Sequence, residues 1–273
     1  MTDDGGSTDR TGEVRAVRHG TTLQLILDRP TARNAMSPAM VETMIGELTA
    51  AASDDSLRAI HITGNGSNFC GGADWVATNS GDRQRPRTGD LVRRIPHAAH
   101  RIIELVHDIH LPVVCSVRGW AVGLGCNLAL AADFTVAADD AVFWEPFVAR
   151  GFSPDSGSTW LLPRLVGVAR ARKMLLLGDK VGGAEAEDWG LIHQSVADDD
   201  LDSVADALID RLAGGPTVAL GFAKDAINHS QGSTLTEAMN TELRALEISC
   251  RTADFKEGLA AFRERRTPEF RGR

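Results

Sequence analysis

Two glycine-rich turns hold the residue types best suited to chemistry in this 273-residue chain. The first runs Asn68-Phe69-Cys70-Gly71-Gly72-Ala73-Asp74-Trp75, the second Gly119-Trp120-Ala121-Val122-Gly123-Leu124-Gly125-Cys126-Asn127. Each follows a predicted strand and opens toward a short helix. Backbone N–H groups at such a turn lack intrahelical acceptors, and the helix dipole adds positive potential there. Two such turns side by side would each aim an N–H at one oxygen, which is how an oxyanion is held. Either turn alone reads equally as a tight connection, and neither has the G-x-G-x-x-G order of a dinucleotide site.

Carboxylates near these turns are the candidates for moving a proton. Asp155 precedes a helical run, where an aspartate also serves as an N-cap. Glu145 sits between Trp144 and Pro146 and reads as a solvated or ion-paired side chain. His97/His100 and His107/His110 are each three apart on one predicted helix, a spacing that two metal ligands can use. No third ligand lies nearby, so an amphipathic helix explains them better and no metal is expected. Trp75 and Trp144 read as core packing before pocket lining.

The elements that would position these residues follow from periodicity and punctuation. Residues 1–12 are polar and read as a disordered leader. Strands at Glu13–Arg18 and Thr21–Leu27 flank His19-Gly20 as a hairpin. Ser37-Pro38 starts a helix over 36–52, with Met40, Met44, Ile45 and Leu48 on one face. A strand at 57–63 leads into the first glycine turn, and 78–90 reads as a mobile loop. A helix over 96–110 and a strand at 113–117 lead into the second, with a short helix at 126–132. Strands at 134–137 and 141–144, helices at 155–165 and 169–177, and a short strand within 191–196 follow. Beyond residue 200 the pattern is helical only, at 201–212, 217–228, 235–249 and 253–266. The domain reading is therefore a leader, a strand-and-helix core over 13–200 and a C-terminal helical region over 201–273.

Composition bounds the function. Hydrophobic residues at 43% and charged residues at 24% describe an ordinary globular chain. A net charge of −8 argues against a general nucleic-acid binder. Four cysteines without a CxxC pair read as reduced thiols in a cytoplasm. No stretch supplies roughly 20 unbroken apolar residues, so no membrane span is expected.

The motifs, taken in order, carry a resemblance. Leu27-Asp28-Arg29-Pro30 through Arg33-Asn34-Ala35-Met36, Ile62-Thr63-Gly64 through Asp74, and Ala121 through Asp133 resemble successive segments of the crotonase (enoyl-CoA hydratase/isomerase) superfamily. Gly178-Asp179, Ala184-Glu185-Ala186, Gly190-Leu191 and the closing helix around Lys256-Glu257-Gly258 are similar to its downstream segments. The likeness spans about residues 14–273. It implies an α/β fold, a spiral of ββα units with a C-terminal helical trimerisation region, and a homotrimer or homohexamer.

The resemblance also implies an acyl-CoA thioester substrate, with coenzyme A as its carrier and no separate cofactor. Two main-chain amides hold the thioester enolate, and they match Gly71 and Leu124 here. Arg29, Arg33 and Arg265 match basic positions near coenzyme A, and Ala35, Ala73, Asp74 and Trp75 match its backbone surroundings. Arg265 often reaches a neighbouring subunit in the family. The two glutamates of the hydratases fall on Asn127 and Phe147, neither of which takes a proton at neutral pH. Ser153-Pro154-Asp155 through Pro163-Arg164 resembles the segment of family isomerases in which the aspartate is the base. The expectation is an enoyl-CoA isomerase with Asp155 as single base. Hydration using Asp155 and Glu145, thioester hydrolysis or dehalogenation with Asp155 as nucleophile, and a non-catalytic acyl-CoA-binding subunit stay open.

Overall fold

The computed structural model describes residues 12–74 and 88–273. The expected leader and most of the 78–90 loop lie outside these, as does Trp75. The chain begins with β1 (Glu13–His19) and β2 (Thr22–Asp28), an antiparallel hairpin pairing Val14 with Leu27 and His19 with Thr22. In β2, Leu23, Leu25 and Leu27 are buried at every second position, as one covered sheet face requires. Helix α1 (Pro38–Ala51) is capped by Ser37, whose hydroxyl accepts the Met40 amide at 3.3 Å. Its Met40, Met44 and Leu48 are buried at helical spacing.

Strand β3 (Ala59–Gly64) is followed by helix α2 (Asp90–Arg94), a 3₁₀ turn, and helix α3 (Ala99–Asp108). The helix expected over 96–110 is shorter, Ala99–Asp108, and a 3₁₀ turn (Ile95–His97) carrying Pro96 precedes it. Each later ββα unit then places one strand in each of two sheets. Strand β4 (Val113–Val117) passes into β5 (Trp120–Val122) and helix α4 (Leu124–Ala131). Strand β6 (Phe134–Ala138) passes into β7 (Val142–Trp144) and helix α5 (Ser158–Arg172). Strand β8 (Lys180–Gly182), helix α6 (Gly183–Trp189) and β9 (Gln194–Val196) close the spiral.

The large sheet has the order β1-β2-β3-β4-β6-β9, parallel from β2 onward, and the small one β5-β7-β8. All five residues of β4 are buried, the signature of a parallel strand covered on both faces. Strands β5 and β8 were absent from the sequence expectation, being three residues each and too short for a period-2 pattern. Helix α5 starts three residues later than expected because Ser156 (φ 54°) and Gly157 (φ 85°) are left-handed, and Gly167 (φ 74°) breaks it.

Helix α7 (Leu201–Ala213) lies across the sheet, with Ile209 and Ala213 against Ala59 and Val114. The first element of the expected C-terminal region therefore completes the core. Helices α8 (Thr217–Ser230), α9 (Leu235–Ser249) and α10 (Ala253–Glu264) follow. Buried Lys224 of α8 ties them to the core through Asp133 at 2.8 Å and the Val106 and Leu111 carbonyls. Among the described residues no helix is long and apolar enough to cross a membrane.

Candidate active site

The two glycine turns are joined backbone to backbone. Phe69 and Cys70 donate to the carbonyls of Arg118 and Trp120 at 2.8 and 2.9 Å, and Val122 donates to Cys70 at 2.9 Å. This isolated bridge between Cys70 and Ala121 extends the small sheet and sets the turns side by side. Buried Asn34 braces the first turn, its Nδ2 donating to the Asn65 and Asn68 carbonyls while its Oδ1 accepts the Arg29 amide. Gly72 has φ 97°, and a Cβ there would stand 2.8 Å from the Val122 carbonyl oxygen and 3.9 Å from the Leu124 nitrogen. Only glycine fits so close an approach in a left-handed conformation.

One expected oxyanion donor is corrected. The Gly71 amide donates to the Arg33 carbonyl at 2.7 Å and is taken up inside the chain. Met36 binds the Gly72 carbonyl at 2.8 Å and the Asp74 amide at 3.0 Å, a parallel bridge that flanks Ala73. Alternation along an extended chain turns the Ala73 N–H to the other side, away from Met36. It has no acceptor among the described residues, and Ala73 lines the cleft. Leu124, the first residue of α4, also lines the cleft, and its amide has no acceptor among the described residues. Which amide of a glycine turn is free depends on partners far off in the chain, so the residue types alone do not reveal it.

Asp155 lines the same cleft. It does not cap α5, whose N-cap is Gly157 without any side-chain bond. Its backbone carbonyl accepts the Ser158 amide and hydroxyl at 3.2 and 3.0 Å, and its Oδ1 accepts the Ser156 hydroxyl at 2.7 Å. The left-handed Ser156–Gly157 turn separates the carboxylate from the helix end. Phe147 and Phe152 line the cleft as well and meet edge to face, with centroids 5.5 Å apart. Asp74 is the other acidic group of the first turn, and it is paired with Arg29 at 2.6 Å.

Glu145 is not solvated or ion-paired as expected. It is fully buried, and among the described residues neither carboxyl oxygen has a partner in hydrogen-bonding geometry, with the Cys126 thiol and the Asn127 side chain beside it. Burial, with the Asp155 charge adding to it, holds its pKa well above the usual carboxylate range. The buried Cys126 thiol beside it is likewise pushed up, by burial first and by Glu145 second. Asn127 is fully buried, with Nδ2 donating to the Gly123 carbonyl at 3.1 Å and Oδ1 left without a donor.

The expected coenzyme A residues divide. Arg29 is nearly buried, bound to Asp74 and to the Ala35 carbonyl at 3.1 Å, so its guanidinium is internal rather than offered to a phosphate. Asp74 and Ala35 are drawn into the same contact. Arg33 is exposed, with its guanidinium 5.9 Å from the Trp120 ring centroid. Arg265, the left-handed C-cap of α10, does not line the cleft of its own chain. Leu91, Ile95 and Arg150, which no motif marked, do line it.

The enoyl-CoA hydratase/isomerase family model matches residues 18–273, and the chain belongs to that family. It is 36% identical over 254 residues to the 1,2-epoxyphenylacetyl-CoA isomerase of Escherichia coli, covering 92% of this chain and 95% of that one. It is 33% identical to the 2,3-dehydroadipyl-CoA hydratase of the same organism, covering 96% and 99%. An enoyl-CoA hydratase structure from Polaromonas sp. JS666 superposes with a TM-score of 0.88 at 32% identity, covering 95% of this chain and all of that one. The fold is accordingly that of the crotonase superfamily, and the family acts on acyl-CoA thioesters.

Proposed function

We propose that this enzyme isomerises an enoyl-CoA, with Asp155 as its one general base. Asp155 takes a proton from the α-carbon of a 3-enoyl thioester, whose electron pair forms a double bond to the carbonyl carbon while the carbonyl π pair moves onto the thioester oxygen. The Ala73 and Leu124 N–H groups hold that oxygen as the enolate forms. Asp155 then returns its proton at the other end of the three-carbon unit, so no water enters the balance. Each amide is worth about 2.7–4 kcal/mol of transition-state stabilisation on the scale of oxyanion donors elsewhere.

The observation that carries this reading is which acidic groups reach the cleft. Of the two aspartates that line it among the described residues, Asp74 is paired with Arg29, and Asp155 remains. Hydration needs a second proton-transfer group, and Asn127 and Phe147 supply none while Glu145 is sealed from the cleft. The Phe147–Phe152 pair gives the cleft that holds the base an apolar flank.

Exposed Arg33 is the basic group we assign to coenzyme A, with Arg265 serving a neighbouring copy. Helix α9 buries none of its side chains and exposes Leu235, Met239, Leu243 and Leu246 at helical spacing. That face fits association into the trimer or hexamer the family likeness implies. Thiols at all four cysteines accord with a cytoplasmic setting.

The test follows trans-3-hexenoyl-CoA by the absorbance of the conjugated 2-enoyl product. Asp155→Asn is expected to lose about 10²–10⁴ of kcat, the usual reach of general acid–base catalysis, with acyl-CoA affinity kept. An unchanged rate would refute the assignment.

A further inference from the structure

Behind the Leu124 amide lies a buried polar pair that the reaction as described does not use. The peptide between Gly123 and Leu124 faces two ways: its N–H, on Leu124, opens to the cleft, and its carbonyl, on Gly123, points into the protein. That carbonyl accepts two donors, the Asn127 amide at 2.9 Å and the Asn127 Nδ2 at 3.1 Å. A peptide whose oxygen is doubly hydrogen-bonded has a more polarised N–H, since bonds in a chain strengthen one another. Gly123 itself is anchored through its N–H to the Trp144 carbonyl at 2.9 Å, one residue before Glu145.

Asn127 Oδ1 and both Glu145 oxygens are buried, and among the described residues none has a partner in hydrogen-bonding geometry. The two side chains are close enough to perturb one another, with the Cys126 thiol beside them. Burial in a site with no cation beside it among the described residues, with the Asp155 charge adding to it, outweighs the pull of Cys126 and the Asn127 side chain toward the ionised form, and the proton is kept. Glu145 then holds a buried O–H lacking an acceptor, next to a buried amide oxygen lacking a donor.

We propose that Asn127 and Glu145 are positioning residues that act through the 123–124 peptide: neutral Glu145 orients the Asn127 amide, and Asn127 polarises the Leu124 N–H toward the thioester oxygen. An amide suits position 127 because it accepts and donates at once, passing the bond from a carboxylic acid to a peptide carbonyl. The inference rests on Leu124 being an oxyanion donor, and not on which reaction follows.

The experiment reads carbonyl polarisation directly, in the Asp155→Asn background so that no chemistry intervenes. The probe is 2,4-hexadienoyl-CoA, whose ultraviolet band moves to the red when its thioester oxygen is hydrogen-bonded. The expected result is a full shift with native Asn127 and with Glu145→Gln, which keeps a neutral donor, and a smaller shift with Asn127→Ala or Glu145→Leu. In the otherwise native enzyme, Asn127→Ala is expected to lower kcat on the order of 10-fold, less than removal of a whole donor, with KM within about twofold. Infrared difference spectra of native protein against Glu145→Gln at neutral pH should contain a carboxylic-acid stretch, which needs no activity and no fragile variant. A full shift with Asn127→Ala, a lost shift with Glu145→Gln, or no acid stretch overturns the proposal. No shift even with native Asn127 would instead overturn the amide pair on which it stands.

Discussion

Gly125 lies so close to Cys70 that a methyl group on its Cα would stand 2.6 Å from the Cys70 carbonyl oxygen. The same oxygen accepts the Val122 amide at 2.9 Å. The first turn of α4 is therefore packed on the backbone of the other glycine loop, and the spacing of the two cleft amides depends on that contact. Gly125→Ala is expected to cost about 1–3 kcal/mol through overpacking. It should also lower kcat more than it raises KM, because the Leu124 amide moves with the helix. Denaturant unfolding and steady-state kinetics on the same variant separate the two effects.

The two arginines of the 29–33 segment should part company. Arg29→Met removes the guanidinium that Asp74 and the Ala35 carbonyl face in a nearly buried site, and a loss of about 3 kcal/mol of stability is expected. Arg33→Gln alters an exposed side chain and should leave stability within about 1 kcal/mol, the worth of an exposed cation–π contact. It should raise KM for the acyl-CoA, more at low salt than at high. Equal thermal unfolding of both variants would contradict this division.

Acid stability should report on His61. Its ring is buried between Gln24 at 3.1 Å and Ser116 at 2.8 Å, and burial lowers its pKa from 6.5 to about 4, against the pull of Asp202. The unfolded chain binds the proton near pH 6.5 and the folded chain only near 4, so acid favours unfolding between these values. The stability due to neutral His61 is complete above the unfolded value and is lost as pH falls through the window, by on the order of 3 kcal/mol. Denaturation of His61→Gln across the same range should give a flatter profile.

Leu243 is more than half exposed on a helix with no fully buried side chain. Leu243→Glu places a charge in the face assigned to self-association and is expected to yield a smaller species by light scattering. An unchanged mass would move the interface elsewhere.

Much of this architecture was legible in the residues. The Ser37 cap, the Met40–Met44–Leu48 face and the start of α9 at Leu235 follow from local rules. The order of motifs gave the family. What stayed hidden was long-range hydrogen bonding. Gly71 and Ala73 are both small residues of one turn, and only the Arg33 carbonyl, from a distant loop, decides which amide is free. Arg29 looked like a phosphate ligand because its partner Asp74 lies 45 positions along the chain. Glu145 looked solvated because nothing local announces that Cys126 and Asn127 of α4 lie against it and bury it.

Solvent hydrogen exchange tests the central assignment most directly. With 2- or 3-enoyl-CoA in heavy water, the proton held by Asp155 exchanges with solvent in a fraction of turnovers while the enolate is bound, so over repeated turnover the native enzyme should introduce deuterium at the α- and γ-carbons and no hydroxyl group. Asp155→Asn should bind the thioester and introduce none. Deuterium uptake by Asp155→Asn at the native rate would contradict the account.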